Sequence, residues 1–478
     1  MGICGQVGAI ELSEREMVYL EKIYSASEID RRGMSVYLSG LGATRLIRTA
    51  IQSGLISPDA KFEETLLTAA ATNGRLETVT MLIQEGADIE LKDDFRDTPV
   101  KAAARAGQVE VVNTLLIKGA NPNSEGKRGS TPLSSATYGG HIDVVRALIN
   151  GGATIQSNDE RWSLVHYAAR YGHSELIEYY VGRGVDINQR TNKGLTALSL
   201  AAGAGHSNAV GKLVAHKADI NSLTSKKQSP LMLASKKGFP DIVSILLAGG
   251  AKINLEDEDG RSALWWAASR GNERVIKLLH KKKARANSAL SLFAVKGDLQ
   301  SLETLFASGI PLEQTDTEGE PGLHIAARYG HLDIVKFYLN KGMDIHSTGL
   351  KGYTALHRAS GYGQAQVAKY LLEQSSDPNW EGWPNLWTPV SLAARYGHLD
   401  ILQMLYNEGG KLNQVTHKGW SPLMLAARGK HPSVVEYLLG KEVDTELQNH
   451  KRQTAKDIAV KHKKDSVIEL LSDNAVID

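Results

Sequence analysis

The sequence predicts a mostly α fold: a solenoid of many short helix–turn–helix units laid side by side. Three observations predict it. Segments of the form Thr-Pro-Leu-X-X-Ala-Ala-X-X-Gly recur through the 478 residues at a nearly constant step of 33. Each segment is followed by a second apolar stretch with helical spacing. Glycine is abundant, at 46 residues, while aromatics are only 6%, a balance that suits many small packed units with many turns better than one thick core. With 42% hydrophobic residues, the chain can bury a large core, which excludes wholesale disorder.

The units start at Thr65, Thr98, Thr131, Ser163, Thr196, Ser229, Ser262, Ser288, Pro321, Thr354, Thr388, Ser421 and Thr454, and the steps between them are 33 except for one of 32, one of 34 and one of 26. A fourteenth, degenerate unit starts near Arg32, with its second helix near Ala43 to Ser53. Counting the Thr or Ser as position one, its side chain caps the first helix by accepting from orphan backbone N–H groups. Proline beside it, as at Pro99, Pro132, Pro230, Pro389 and Pro422, fits the first turn. The Ala pair, as in Ala168–Ala169 or Ala326–Ala327, keeps the helix thin so that neighbours stack closely. Glycine at position ten, as at Gly107 or Gly172, ends the helix in the left-handed region. The second helix carries residues such as Val144, Val145, Leu148 and Ile149 and closes at another glycine, as at Gly152. A short extended stretch such as Asp186-Ile187-Asn188 then leads to a turn such as Asn192-Lys193-Gly194.

These residues resemble the ankyrin repeat family. TPLSSATYGGHIDVVRALINGGA, LVHYAARYGHSELIEYYVGRGVDIN and YTALHRASGYGQAQVAKYLLEQSSDPN match its pattern nearly along their length, and the resemblance covers about Glu63 to Leu471. It implies helix pairs joined by projecting β-hairpin fingers and stacked into a curved solenoid. It implies little about function.

Two units depart from the pattern. The 26-residue step, Ser262 to Ser288, lacks a finger and has His280-Lys281-Lys282-Lys283-Ala284-Arg285 in its place. This seam divides the expected organisation into a helical cap at 1–31, an amino-terminal block at 32–285 and a carboxy-terminal block at 286–478. Stacking is expected to continue across Lys281 to Ser288 without a finger. The 34-residue step carries three tryptophans, Trp380, Trp383 and Trp387, on one finger. At the amino end, Leu12, Met17, Val18, Leu20, Ile23 and Tyr24 lie roughly on one helix face, and Ser13 with Glu16 forms a capping box. Lys461, His462, Lys463, Lys464 and Asp465 make the last unit polar, as a terminal cap requires.

Lys and Arg number 55 against 53 Asp and Glu, a net charge of +2, so overall charge argues for neither nucleic acid nor a membrane surface. No apolar run is long enough to span a bilayer. The single cysteine, Cys4, can form no internal disulfide, and the expected location is cytoplasmic or nuclear. Cys4-Gly5-Gln6-Val7-Gly8 resembles the start of amidotransferases with an amino-terminal cysteine nucleophile, but only about thirty residues precede the solenoid. Gly2 is a poor myristoylation site because position 6 is Gln. Gly205 to Leu213 resembles a phosphate loop but lacks the following Ser or Thr. Nine of the fifteen histidines occupy pattern positions: His166, His324 and His357 at the fourth, and His141, His173, His206, His331, His398 and His431 at the eleventh. The resemblance implies structural hydrogen bonds for these, and the rest show no ligand spacing, so no metal, cofactor or catalytic residue is expected.

The resemblance places positions five, eight and nine on the concave side. There the chain carries Tyr167, Arg170, Tyr171, Trp266, Arg270, Arg328, Tyr329, Arg358, Tyr362, Arg395 and Tyr396, with Trp380 and Trp383 on the finger. Arg, Tyr and Trp are the types enriched at binding hot spots. The expected function is a non-enzymatic protein interaction scaffold, binding an acidic or amphipathic protein or peptide segment. The alternative is a small-molecule binder or atypical enzyme with a pocket near 280–288 or the Trp380–Trp387 finger. Nucleic acid and membrane are the weakest readings.

Overall fold

The structure is a computed structural model that describes residues 12–155, 162–441 and 443–473. Gly2, Cys4 and the segment around them lie outside the described residues. The chain folds as two compact units, Met1–Ala234 with Asp241–Lys252, and Ser235–Pro240 with Ile253–Asp478. The seam at 281–288 and the tryptophan finger both lie inside the second unit, so the expected boundary at 285/286 falls within it.

Within each unit the helices alternate between an inner row, the first helix of each repeat, and an outer row, the second. In the first unit, Pro99–Ala106 packs between Leu66–Thr72 and Pro132–Gly139, and the outer helix Val109–Ile117 packs on Ile142–Asn150. In the second, Ala355–Tyr362 packs between Gly322–Tyr329 and Pro389–Tyr396. Helices of two turns are not stable alone; burial holds them. Ala168, Ala169, Ala326 and Ala327 are wholly buried, as are Val145 and Leu148, while Ile149 is half-buried. Each large aliphatic side chain buried this way contributes about 1.5–3 kcal/mol.

The caps are reciprocal. Thr388 Oγ1 accepts from Ser391 N at 3.1 Å, and Thr388 N donates to Ser391 Oγ at 2.8 Å. Where position four is histidine, the ring replaces the hydroxyl. Ser163 N donates to His166 Nδ1 at 3.0 Å, and His166 Nε2 donates onward to the Gln189 carbonyl at 2.9 Å. Thr354 and His357 repeat this arrangement, with Nε2 reaching the Trp387 carbonyl at 3.0 Å. At His324 the cap position is Pro321, which has no donor, and Nδ1 stays without a partner. Burial pushes His357 down to about 4 and holds His166 and His324 below their ordinary value, so all three rings are neutral.

Successive inner helices are tied at position eleven. His141 Nε2 donates to the Arg105 carbonyl at 3.1 Å, His206 to Arg170 at 3.0 Å, and His331 to Val295 at 3.0 Å; Gln364 does the same to Arg328 at 3.0 Å. Each ring lies over the position-ten glycine of the preceding repeat: a Cβ on Gly297 would stand 2.7 Å from His331 Nδ1.

The fingers are turns more than hairpins. Among the described residues, the only paired strands are Lys61–Phe62 with Glu64–Thr65, and elsewhere single bridges such as Gly382 with Trp387 close the finger. Fingers close on themselves through a single backbone bond, as from Thr416 N to Trp420 O at 3.0 Å, and some also bond the next finger, as from His417 N to Asn385 O at 2.9 Å and Ser225 N to Lys193 O at 3.0 Å. An Asn below the finger adds another tie: Asn379 Oδ1 accepts from Lys411 N at 2.8 Å.

At the seam no finger projects, and stacking continues. Helix Glu273–Lys281 turns into Asn287–Lys296 directly, Asn254 Oδ1 still accepts from Arg285 N at 2.9 Å, and the Trp265 and Phe293 rings stack at 5.3 Å. The position-eleven tie is absent. Asp298 occupies that position and caps its own helix at Ser301 N, 3.1 Å away, leaving nothing over Gly271.

At the amino end, Glu14–Ser25 has the Ser13–Glu16 capping box and packs on Glu28–Leu41 and Thr44–Gln52. Only Leu20 and Ile23 of its apolar set are buried; Val18, on the opposite side of the helix, and Tyr24, in its last turn, are exposed. Glu28–Leu41 packs on Leu66–Thr72 as an inner helix would, so the degenerate unit begins at Glu28 rather than near Arg32. At the other end, Lys461, His462 and Lys463 are exposed.

Two tests follow from these contacts. Gly297 and Gly271 both have positive φ, 74° and 67°, so alanine costs each about 1 kcal/mol. Only Gly297→Ala must also displace a tying histidine, costing about 1 kcal/mol more. Its thermal midpoint should fall further than that of Gly271→Ala; equal falls would refute the tie. The second test is pH. A histidine held low in the folded state stabilises above its unfolded value of about 6.5. That contribution is lost as pH falls from about 6.5 toward the folded value. The thermal midpoint should therefore drop across that window, and less steeply in His357→Gln.

Candidate functional site

The inner face of the second unit carries a cleft of about 660 Å³. Its walls come from two repeats and the finger between them. Tyr353 precedes the Thr354 cap, Arg358 and Tyr362 lie on the helix that follows, Trp387 ends the finger, and Tyr396 closes the next helix. It is a cleft rather than a closed chamber, since Tyr362 is 48% and Tyr396 54% exposed. His357 forms part of the lining, but its two nitrogens are committed to the cap and to Trp387. A second hollow of about 380 Å³ adjoins it, sharing Arg358 and Tyr362 and adding Arg328 and Tyr329. Arg328 lies 4.6 Å from the Tyr362 ring, a cation–π contact that bridges two repeats.

The tryptophans of the finger divide their work. Trp383 is 75% exposed. Trp380 is half-buried and stacks on His346 of the previous finger at 5.8 Å. Trp387 is half-buried and faces the cleft.

Two of the expected contact residues have other employment. Trp266 is only 7% exposed: its Nε1 donates to Asp257 Oδ2 at 3.1 Å, and Lys236 and Arg261 lie over its ring at 4.0 and 4.5 Å. It is a packed residue, not an open contact. Arg358 is held by both oxygens of Glu320, Nε to Oε1 and Nη2 to Oε2, each at 2.6 Å, with both side chains largely buried. Its charge is matched within the fold. Arg270 is exposed. Arg395 is half-buried; burial, and then the neighbouring Arg428, hold its guanidinium below the ordinary value.

In the first unit, Tyr138 and Tyr171 meet at 4.4 Å and Trp162 packs on Tyr167 at 5.3 Å, with Arg170 exposed beside them. A hollow of about 360 Å³ there is lined by Tyr138, Tyr167 and a buried charge cluster. Asp97 accepts from Lys101 Nζ at 2.6 Å and from Arg105 Nη1 at 2.7 Å, and Lys101 also donates to Ser130 Oγ at 2.6 Å.

Tyr353, Glu320 and Asp97 were not among the expected contact residues, and Trp387 was noted only as part of its finger. All four stand immediately before the cap residue, a column that the repeat defines but whose inward aim only the folded finger shows. Among the described residues, no group of three or more His, Cys, Asp and Glu could hold a metal, and no helix is long and apolar enough to cross a membrane.

A family model described as ankyrin repeats (3 copies) matches residues 42–126, 66–159, 116–191, 165–257, 198–289, 290–382 and 390–478. No curated protein matches the chain. Among solved structures, the chain is similar to the human ASB11 ankyrin repeat domain, with 28% identity over 45% of this chain and 96% of that one and a TM-score of 0.43. The helix pairs, the histidine caps and the matched segments agree, and the chain belongs to the ankyrin repeat family.

Proposed function

We propose that this chain is a non-enzymatic scaffold whose second unit grips an acidic or amphipathic segment of a partner protein in the cleft between Tyr353 and Tyr396. Ankyrin repeats are generally protein–protein interaction modules. The observation that carries the finer reading is the exposure of aromatic rings on one face. Tyr329, Tyr362 and Tyr396 are 46%, 48% and 54% exposed, and Trp383 is 75% exposed. Such rings gain when a partner covers them, about 2–3 kcal/mol for a large one. His357, in the wall of the cleft, has both ring nitrogens fixed, one in the cap and one at the Trp387 carbonyl. Placement in a reducing compartment, cytoplasm or nucleus, is part of the same proposal and rests on the lone cysteine.

A small organic ligand in the cleft is the second reading. Its volume of about 660 Å³ favours it, since ligand pockets span about 300–1,000 Å³. The half-exposed walls favour a segment that runs on beyond the cleft.

Affinity purification from the native cell, with partners identified by mass spectrometry, supplies the ligand. Trp383→Ala and Tyr362→Ala should then each weaken the partner about tenfold and leave the thermal midpoint unchanged, because both rings lie outside the core. Normal binding by both variants would sink the reading. Binding that needs a small molecule and no protein would favour the alternative.

A further inference from the structure

We infer that the inner edge of the last three repeats is a carboxylate-binding column, built to take an extended acidic segment of a protein with an acidic residue at about every third position. The inference rests on the scaffold reading and names the partner's chemistry.

The column comes from register. Thr388, Ser421 and Thr454 open the last three inner helices, and position eight of each is Arg395, Arg428 and Lys461. The three helices pack in direct succession. Equal positions on equal helices place the three cations in a line. Arg428 lies 5.2 Å from the Trp420 ring, and Arg395 adjoins Tyr396 of the aromatic cleft, so the line continues that cleft.

What distinguishes this stretch is three successive position-eight cations without a matching acid. In three other repeats a finger carboxylate neutralises inner cations: Asp97 holds Lys101 and Arg105, Asp257 holds Arg261, and Glu320 holds Arg358, whereas Arg170 and Arg328 stand singly and, among the described residues, in no ion pair. Those acids stand one or five residues before the cap. In the last three repeats the residues one before the cap are Trp387, Trp420 and Gln453, and those five before it are Trp383, Thr416 and Asn449. None is acidic. Among the described residues, no ion pair involves Arg395, Arg428, Lys430, Lys461, Lys463 or Lys464. Burial and then surrounding cations hold His462 below its ordinary value, and Lys430 adds to the same effect at Lys464. Between residues 411 and 464 the chain has 11 Lys and Arg against 5 Asp and Glu, an excess of +6, where the whole chain carries +2.

An unmatched row of two guanidinium groups and an ammonium stores unfavourable repulsion that an anionic partner relieves. Arginine takes a carboxylate bidentately, and such bonds are the strong ones. Neighbouring packed helices stand about 10 Å apart, and an extended chain advances about 3.3 Å per residue. Three residues of partner therefore span one repeat, which sets the period.

The test uses the full chain and labelled synthetic peptides, followed by fluorescence anisotropy at low salt. One peptide carries a tryptophan and then glutamate at every third position between glycines. A second has the same composition with its glutamates contiguous, a third replaces glutamate by lysine, and a fourth probe is a single-stranded oligothymidylate. The first peptide should bind, more weakly as salt rises, and better than the other three. Arg395→Glu with Arg428→Glu should lose at least about tenfold in affinity. If that variant does not fold, Arg395→Gln with Arg428→Gln should still lose binding. Arg274→Glu, an exposed cation on an outer helix, should bind as the parent does. The proposal is overturned if no peptide binds, if contiguous glutamates bind as well, if the oligonucleotide binds best, or if the arginine variants are unaffected. A native partner that depends on Trp383 and Tyr362 but ignores Arg395 and Arg428 would overturn the column and leave the scaffold reading standing. Peptide binding through the column, with no native protein captured, would do the reverse.

Discussion

One bond organises this molecule: the side chain at position eleven of most repeats, as at Gln108, His141, His173, His206, His331, Gln364 and His431, meets the carbonyl at position eight of the repeat before it. The ring that makes the bond also fills the space over the position-ten glycine. That glycine meets two demands at once. It must adopt positive φ to end its helix, and it must present no Cβ, because His141 stands where a Cβ on Gly107 would be and His206 where one on Gly172 would be. The tie fixes the rotation of each inner helix against its neighbour. Only then do equal positions in successive repeats fall into columns, and a column is what turns scattered Arg and Tyr residues into a surface. The seam shows the converse. With Asp298 in place of histidine, Gly271 has nothing over it, and stacking there relies on Trp265 against Phe293 and on the Asn254 bond.

Charge on the inner face obeys a second constraint. A cation drawn into a crevice between repeats needs an acid, because desolvation is costly. Lys101 illustrates this. It occupies position four, where histidine or a small hydroxyl residue usually completes the cap, and is almost fully buried; Asp97 and Ser130 supply its partners. Removing Asp97 alone would strand a buried ammonium, a loss of about 3–5 kcal/mol. Glu320 plays the same part for Arg358 from 38 residues away. The pairing restrains these cations as structure, whereas Arg395, Arg428 and Lys461, farther along, are in no ion pair among the described residues.

The helices, caps and glycine turns were legible in the sequence because each rests on a local requirement repeated thirteen times. The contact residues were legible only in part. Tyr362 and Tyr396 lie on the inner face because position nine is set by helix geometry alone. Trp266 shares that kind of register but is covered, since Lys236, Arg261 and Asp257 converge on it from outside its helix. Arg358 read as a free cation because its acid lies in another repeat. The fingers were the least legible part. Each closes through little more than one backbone bond, so few form two-stranded hairpins, and nothing in a single repeat shows where such a loop will aim. Net charge misled for a related reason: a whole-chain sum near zero conceals acids and bases sorted to different places.

That sorting points to how such a chain can change partner without changing fold. Helix positions are committed: alanines to close packing, glycine to the turn, position eleven to the tie. The residue just before the cap is not. It is Asp97, Arg261, Glu320, Tyr353, Trp387, Trp420 and Gln453 in different repeats, and in each case described above it faces the inner row of its own unit. A carboxylate there quenches a neighbouring arginine, an aromatic ring walls a cleft, and a neutral residue leaves the arginine unmatched. The finger keeps its turn in each of these repeats, because the carbonyl of that residue accepts a backbone bond from within its own finger, although an acid there can also carry stability, as Asp97 does for Lys101. On the proposed scaffold reading, the residue just before each cap is where partner preference can vary, while the committed helix positions carry the packing.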